Sequence, residues 1–122
     1  MLADRPAAQL ELARAEAELG AARAFLYDAI EAQWRAVNAG REPTPREVAL
    51  GRLASLPSAN TAAEVTRKAA TLAGGSAIFT SSPFQRHVRD AEAVAHHFTV
   101  AASVWEDAGR VLMGRAAQAQ MF

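Results

Sequence analysis

The chain predicts an all-α protein, a four-helix up-and-down bundle folded as one domain over residues 1–122. Three observations carry that reading. Alanine dominates the composition, and strong helix formers fill most of the chain. No strand-length run alternates β-branched with polar residues. Thr44-Pro45-Arg46-Glu47 and Ser82-Pro83-Phe84-Gln85 both read as capping boxes with proline at the first helical position.

The first helix is expected from about Pro6 to about Asn38, with proline tolerated only in the opening turn and Gly40 marking the end. Leu12, Leu19 and Leu26 recur at seven with Ala15, Ala22 and Ala29 between them, the pattern of a buried seam against a partner helix. A second apolar line through Leu10, Ala13, Ala17, Ala24 and Phe25 implies that this helix packs on two sides.

The second helix starts at the Thr44 box and carries Val48, Leu53, Leu56, Val65 and Leu72 toward Gly74-Gly75. Pro57 either kinks it or splits it, with Thr61 and Glu64 able to cap a fresh start; a kinked helix is the favoured form. The connector Ser76 to Ser82 holds Ile78 and Phe79, too apolar for a free loop, so something is expected to cover it. The third helix follows, with Phe84, Val88, Ala91, Ala95 and Phe98 on one stripe. Between Thr99 and Ser103 the signal is ambiguous, and Val104, Ala108, Val111 and Leu112 form a last amphipathic set ending near Gly114.

Composition narrows the chemistry. Thirteen basic and thirteen acidic residues give no net charge, which disfavours nucleic acid and anionic lipid as partners. There is no cysteine, so disulfides, thiolate nucleophiles and thiolate zinc sites are excluded. No membrane span or leader is legible, and a cytoplasmic location is expected.

His96 and His97 are adjacent, so on a helix they point about 100° apart and do not share one metal; no metal site is expected. One reading makes one of them a core histidine and the other a surface residue; the alternative turns one toward a pocket as a general base or hydrogen-bond donor. Arg86 and Arg89, early in the third helix, either hold a phosphate with the exposed amides or pair with Asp90 or Glu92. Gly74-Gly75 either terminates a helix or lets backbone approach a pyrophosphate. Trp34 and Trp105 are expected to be core or interface anchors.

Taken together, the run TLAGGSAIFTSSPFQRHVRD resembles the C-terminal helical-domain signature of the acyl-CoA dehydrogenase superfamily: a helix ending in Gly-Gly, a connector, then proline, a basic pair and Arg-Asp. AEAELGAARAFLYDAI resembles the long first helix of that domain and DAGRVLMG its closing helix. SSPFQRHVRD and AHHF are most similar to the type 2 branch, which includes oxygenase subunits of two-component flavin monooxygenases.

The resemblance implies an oxidoreductase domain that contributes part of a flavin site, FAD or FMN, or that holds no flavin by itself. It implies that Gly74 and Gly75 approach the flavin nucleotide across a subunit interface, that Arg86 and Arg89 belong to the same cofactor-binding region, and that Arg89-Asp90 orients the third helix. Dehydrogenases of the family place their catalytic glutamate eight residues beyond the aspartate, and counting from Asp90 gives Phe98 here. His97, with His96 beside it, is then the expected catalytic residue, in a monooxygenase rather than a dehydrogenase. The glutamine or similar polar residue often preceding the glycine pair is replaced by Thr71. The family's N-terminal helical and central β-domains have no counterpart in the 122 residues. The partners implied are further copies of the chain in a dimer or tetramer, a flavin reductase, and those two domains. The competing expectation is a non-catalytic oligomerisation module or a truncated remnant.

Overall fold

A computed structural model describes residues 1–97 and 103–118. It contains four α-helices: α1 (Pro6–Asn38), α2 (Pro45–Ala73), α3 (Pro83–Ala95) and α4 (Ser103–Leu112), with short 3-10 turns at Leu2–Asp4 and Gly74–Ile78. Among the described residues there is no strand. The expected place of Phe98 on the third helix's stripe, and the ambiguous stretch from Thr99, lie outside the described residues.

Thr44 caps α2 as expected: its hydroxyl accepts from the Glu47 amide, and the Glu47 carboxylate accepts from the Thr44 amide. Arg41 holds the same carboxylate by two short bonds, 2.7 and 2.8 Å. Ser82 caps α3, but Gln85 does not complete the box; its amide donates to the Ile78 carbonyl at 2.6 Å and pins the connector to the helix. A carbonyl left over by the turn outcompetes the cap amide.

Helix α2 runs unbroken through Pro57, so the form with a fresh cap at Thr61 is not the one adopted. It is also the central helix, packed by α1, α3 and α4. Paired positions show that α1 and α3 run antiparallel to it. Gln33 of α1 reaches the Glu47 carbonyl and Lys68 reaches Glu18, so α1 descends as α2 rises. Across the other side, Arg67 meets Glu92 near the C-terminal end of α3, while Gly74 and Gln85 lie at its opening end.

The α1–α2 contact is built from alanine. Ala8, Ala22, Ala29 and Ala36, four members of one seven-residue series on α1, are buried, and Ala49, Leu56 and Ala63 form a matching series on α2. Methyl groups let the two cylinders approach closely, which corrects the expected seam: Ala22 and Ala29 are inside and Ala15 is half-buried, but Leu12 is 65% exposed and Leu19 is exposed as well. The second line fares the same way, with Leu10 and Phe25 exposed, so among the described residues α1 packs on one side only. Ile78 and Phe79 are exposed too, so the large side chains of the connector are not covered although Ala77 is, and Trp34 and Trp105 are surface residues rather than core anchors.

No helix of the described residues is long and apolar enough to cross a membrane.

Candidate functional site

The end of α2 is set by Gly74, whose φ of 63° and ψ of −142° are open to glycine and costly for any residue with a Cβ. Space is not the reason, since a Cβ at Gly74 or Gly75 would meet nothing within 4 Å. The chain turns through Gly74–Ile78 and re-enters α3, and the fold leaves a groove of about 510 Å³ between the end of α2 and the first turns of α3. Gly74, Thr71, Ile78, Val88 and Arg89 line it, together with Gln85, whose amide is already bonded to the connector.

Two of the sequence-predicted residues, Gly74 and Arg89, therefore share one groove. Arg89 is the cation of that groove: its side chain is 78% exposed and its nearest carboxylate oxygen, on Asp90, stands 4.0 Å away. That distance is the outer limit of an ion pair and makes no hydrogen bond. Gly75 adjoins Gly74 in the same turn, and Arg86 lies one turn before Arg89, exposed and outside the groove lining. Thr71, on the wall of the groove, donates its hydroxyl to the Arg67 carbonyl at 3.0 Å.

The histidines are not in this groove. His96 closes α3 as its C-cap, seven residues beyond Arg89, a rise of about 10 Å along the helix. Its Nδ1 lies 2.8 Å from the Glu92 carbonyl oxygen. His97 follows, its backbone amide donating to the Val94 carbonyl at 3.0 Å. Both rings are at the surface, so neither is a core histidine.

Sequence reasoning missed the groups that organise this end of α3. Arg67 of α2 donates from Nε to Glu92 at 2.6 Å, and the second Glu92 oxygen is 3.8 Å from His96 Nδ1. Ion pairs between residues 25 apart leave no local pattern to find. Asp107, a buried carboxylate on α4, accepts from the Gln118 amide at 3.0 Å. Away from the groove, close ion pairing displaces protonation. Glu47 is held down to about 2, chiefly by its bonds from Arg41. Lys68 is raised, first by its bond to Glu64, and Glu64 is lowered by the same contact.

Chemically, the groove offers one lightly paired cation, a glycine turn with open space above it, and apolar walls. That set suits an anionic group, and the histidine pair lies just past the far end of the same helix. A larger hollow of about 720 Å³, between the Glu42–Pro45 loop and the segment after α4, carries none of the sequence-predicted residues. Among the described residues no cluster of His, Asp and Glu could hold a metal ion.

Comparison with known proteins places these features in context. The family described as acyl-CoA dehydrogenase, C-terminal domain, matches residues 1–102. An indole-3-acetate monooxygenase of Pseudomonas putida is 44% identical over 115 residues, covering 93% of this chain and 29% of the relative. A protein of the same name from Acinetobacter baumannii is 39% identical, with the same two coverages. A pigment production hydroxylase of Rhodococcus erythropolis is 33% identical over 77% of this chain and 24% of its own length. The crystal structure of the HsaA monooxygenase from M. tuberculosis superposes with a TM-score of 0.88 over 98% of this chain and 32% of that one; at 22% identity it shows the shared fold. The chain thus spans about 29% of the length of the first two curated relatives.

Proposed function

The chain belongs to the acyl-CoA dehydrogenase C-terminal domain family, and from that premise we propose that it is the C-terminal bundle of a flavin-dependent monooxygenase. The observation that carries the reading is the 44% identity to an indole-3-acetate monooxygenase across 93% of this chain. An aromatic organic acid of that kind is the substrate class to test first.

In this reading flavin, FAD or FMN, supplies the oxygen chemistry, and the 122 residues supply part of its site. Arg89, with Arg86 one turn away, neutralises phosphate. Gly74 sets the turn, and Gly75 leaves its backbone open to close approach. His97 or His96, about 10 Å farther along α3, accepts a substrate proton or donates a hydrogen bond at the reacting end. The rest of the pocket comes from protein outside residues 1–122, in line with the 29% coverage of the relatives, and reduced flavin from a separate reductase. The domain holds a dimer or tetramer together in the cytoplasm.

A titration of FAD and FMN with the purified chain, followed by flavin fluorescence, tests this. Micromolar quenching that weakens in Arg89→Ala and in His97→Ala is the expected result. Without quenching by either flavin, the second reading leads: a non-catalytic oligomerisation module, which the exposed apolar face of α1 favours.

A further inference from the structure

The C-terminal end of α3 fixes more than the position of His96. Its Nδ1 sits 2.8 Å from the Glu92 carbonyl oxygen, which also accepts the His96 backbone amide at 3.1 Å. A carbonyl oxygen accepts and never donates, so the ring nitrogen facing it must carry the proton. The Glu92 carboxylate reinforces this. One of its oxygens takes the Arg67 guanidinium at 2.6 Å, and the other stands 3.8 Å from the same Nδ1. Both oxygens that Nδ1 faces are therefore acceptors, and Arg67 anchors the residue that carries them to the central helix.

We propose that Arg67 and Glu92 are positioning residues that hold neutral His96 as the Nδ1–H tautomer, so that Nε2 is the atom this end of α3 offers to accept a proton or a hydrogen bond. A neutral imidazole has one donor and one acceptor, and which is which follows from the bond the other nitrogen makes. Free imidazole side chains in water favour the opposite tautomer. His96 is otherwise well exposed, its side chain 79% accessible, so Nε2 is open to a ligand. The use of that atom in catalysis rests on the flavin reading; the tautomer does not.

Long-range nitrogen–proton NMR on the labelled full chain, about two pH units above the ordinary histidine range near 6.5, reads each ring directly. Exposed His87 on the first turns of α3 serves as the internal reference. The expected result is a majority Nδ1–H tautomer at His96 against a majority Nε2–H tautomer at His87. Arg67→Gln and Glu92→Ala keep the backbone carbonyl that Nδ1 faces but remove the anchored carboxylate beside it, so each should lower the His96 Nδ1–H share toward that of His87. Arg67→Lys should retain the parent share, with helix content by circular dichroism unchanged in all three. His96 matching His87 in the parent chain would overturn the proposal. So would an Nδ1–H majority untouched by both disruptive variants, because the pair would then position nothing. The measurement needs no flavin, so a chain that binds none still decides between these outcomes.

Discussion

Gln33 of α1 occupies the space that a side chain at Gly51 of α2 would need. Its amide donates to the Glu47 carbonyl at 3.1 Å, and in doing so it crosses directly over the missing Cβ. Two helices thus meet through a glycine in one and a glutamine in the other.

The obstacle is the far end of a flexible side chain, which sets the cost. Gly51→Ala should displace Gln33 and lose a bond worth about 1 kcal/mol, while alanine in mid-helix returns about 1 kcal/mol. The net change in a urea melt is then near zero. In a Gln33→Ala background the same substitution should stabilise by about 1 kcal/mol, because nothing remains to displace. Additive effects would show that the two residues do not compete.

Acid should weaken the start of α2. The Glu47 carboxyl lies at about 2 in the folded chain, against an ordinary value of 4.5, held there first by Arg41 and next by the Thr44 amide. Between those values the unfolded chain binds the extra proton, so stability rises with pH. The contribution is complete above about 4.5 and lost as pH falls through about 2. Glu47→Gln should therefore be less stable than the parent at pH 7, with the gap closing over that window. A gap that stays constant across the acid range would refute the assignment.

The two adjacent glycines should behave differently. Gly74→Ala forces a side chain into φ 63° and should cost ~1–3 kcal/mol. Gly75, without that constraint and with open space above it, should accept alanine within ~0.5 kcal/mol. Loss of flavin quenching in Gly75→Ala would then report a ligand contact rather than a damaged fold, and thermal melts of both variants check the split.

The two faces of α1 invite opposite changes. Ala36 is fully buried against α2, so Ala36→Leu should destabilise by ~1–3 kcal/mol through overpacking. Tyr27, Ile30, Trp34 and Val37 follow one another at helical spacing and all stand at least half exposed. Such a stripe should drive self-association, and Trp34→Glu should shift sedimentation toward the monomer with little change in stability. A parent chain that stays monomeric at high concentration would remove the oligomer from the proposed function.

What the sequence made legible, and what it did not, divides along the range of the interaction. The limits of α1 and the Thr44 cap of α2 matched expectation because proline, glycine and capping side chains act within a turn of themselves. The buried side of α1 did not, since a heptad series marks both Leu12 and Ala15 as apolar without saying which one the partner touches. Gln85 failed locally because the Ile78 carbonyl comes within its reach only once the connector has folded. Gly74 and Arg89 reach the same groove through antiparallel pairing of α2 and α3, a relation suggested by the family signature rather than by spacing.

The alanine contact between α1 and α2 has a consequence for how the chain acquires its shape. A methyl group has no rotamers to lose, so the two longest helices can close on each other at almost no side-chain entropy cost. They are also neighbours in sequence, joined by the short segment from Ala39 to Thr44, so little loop must be closed. A hairpin of this kind can close before α3 and α4 dock. It would give α3 and α4 a finished rail to dock on, and leave its own large side chains waiting for whatever arrives next.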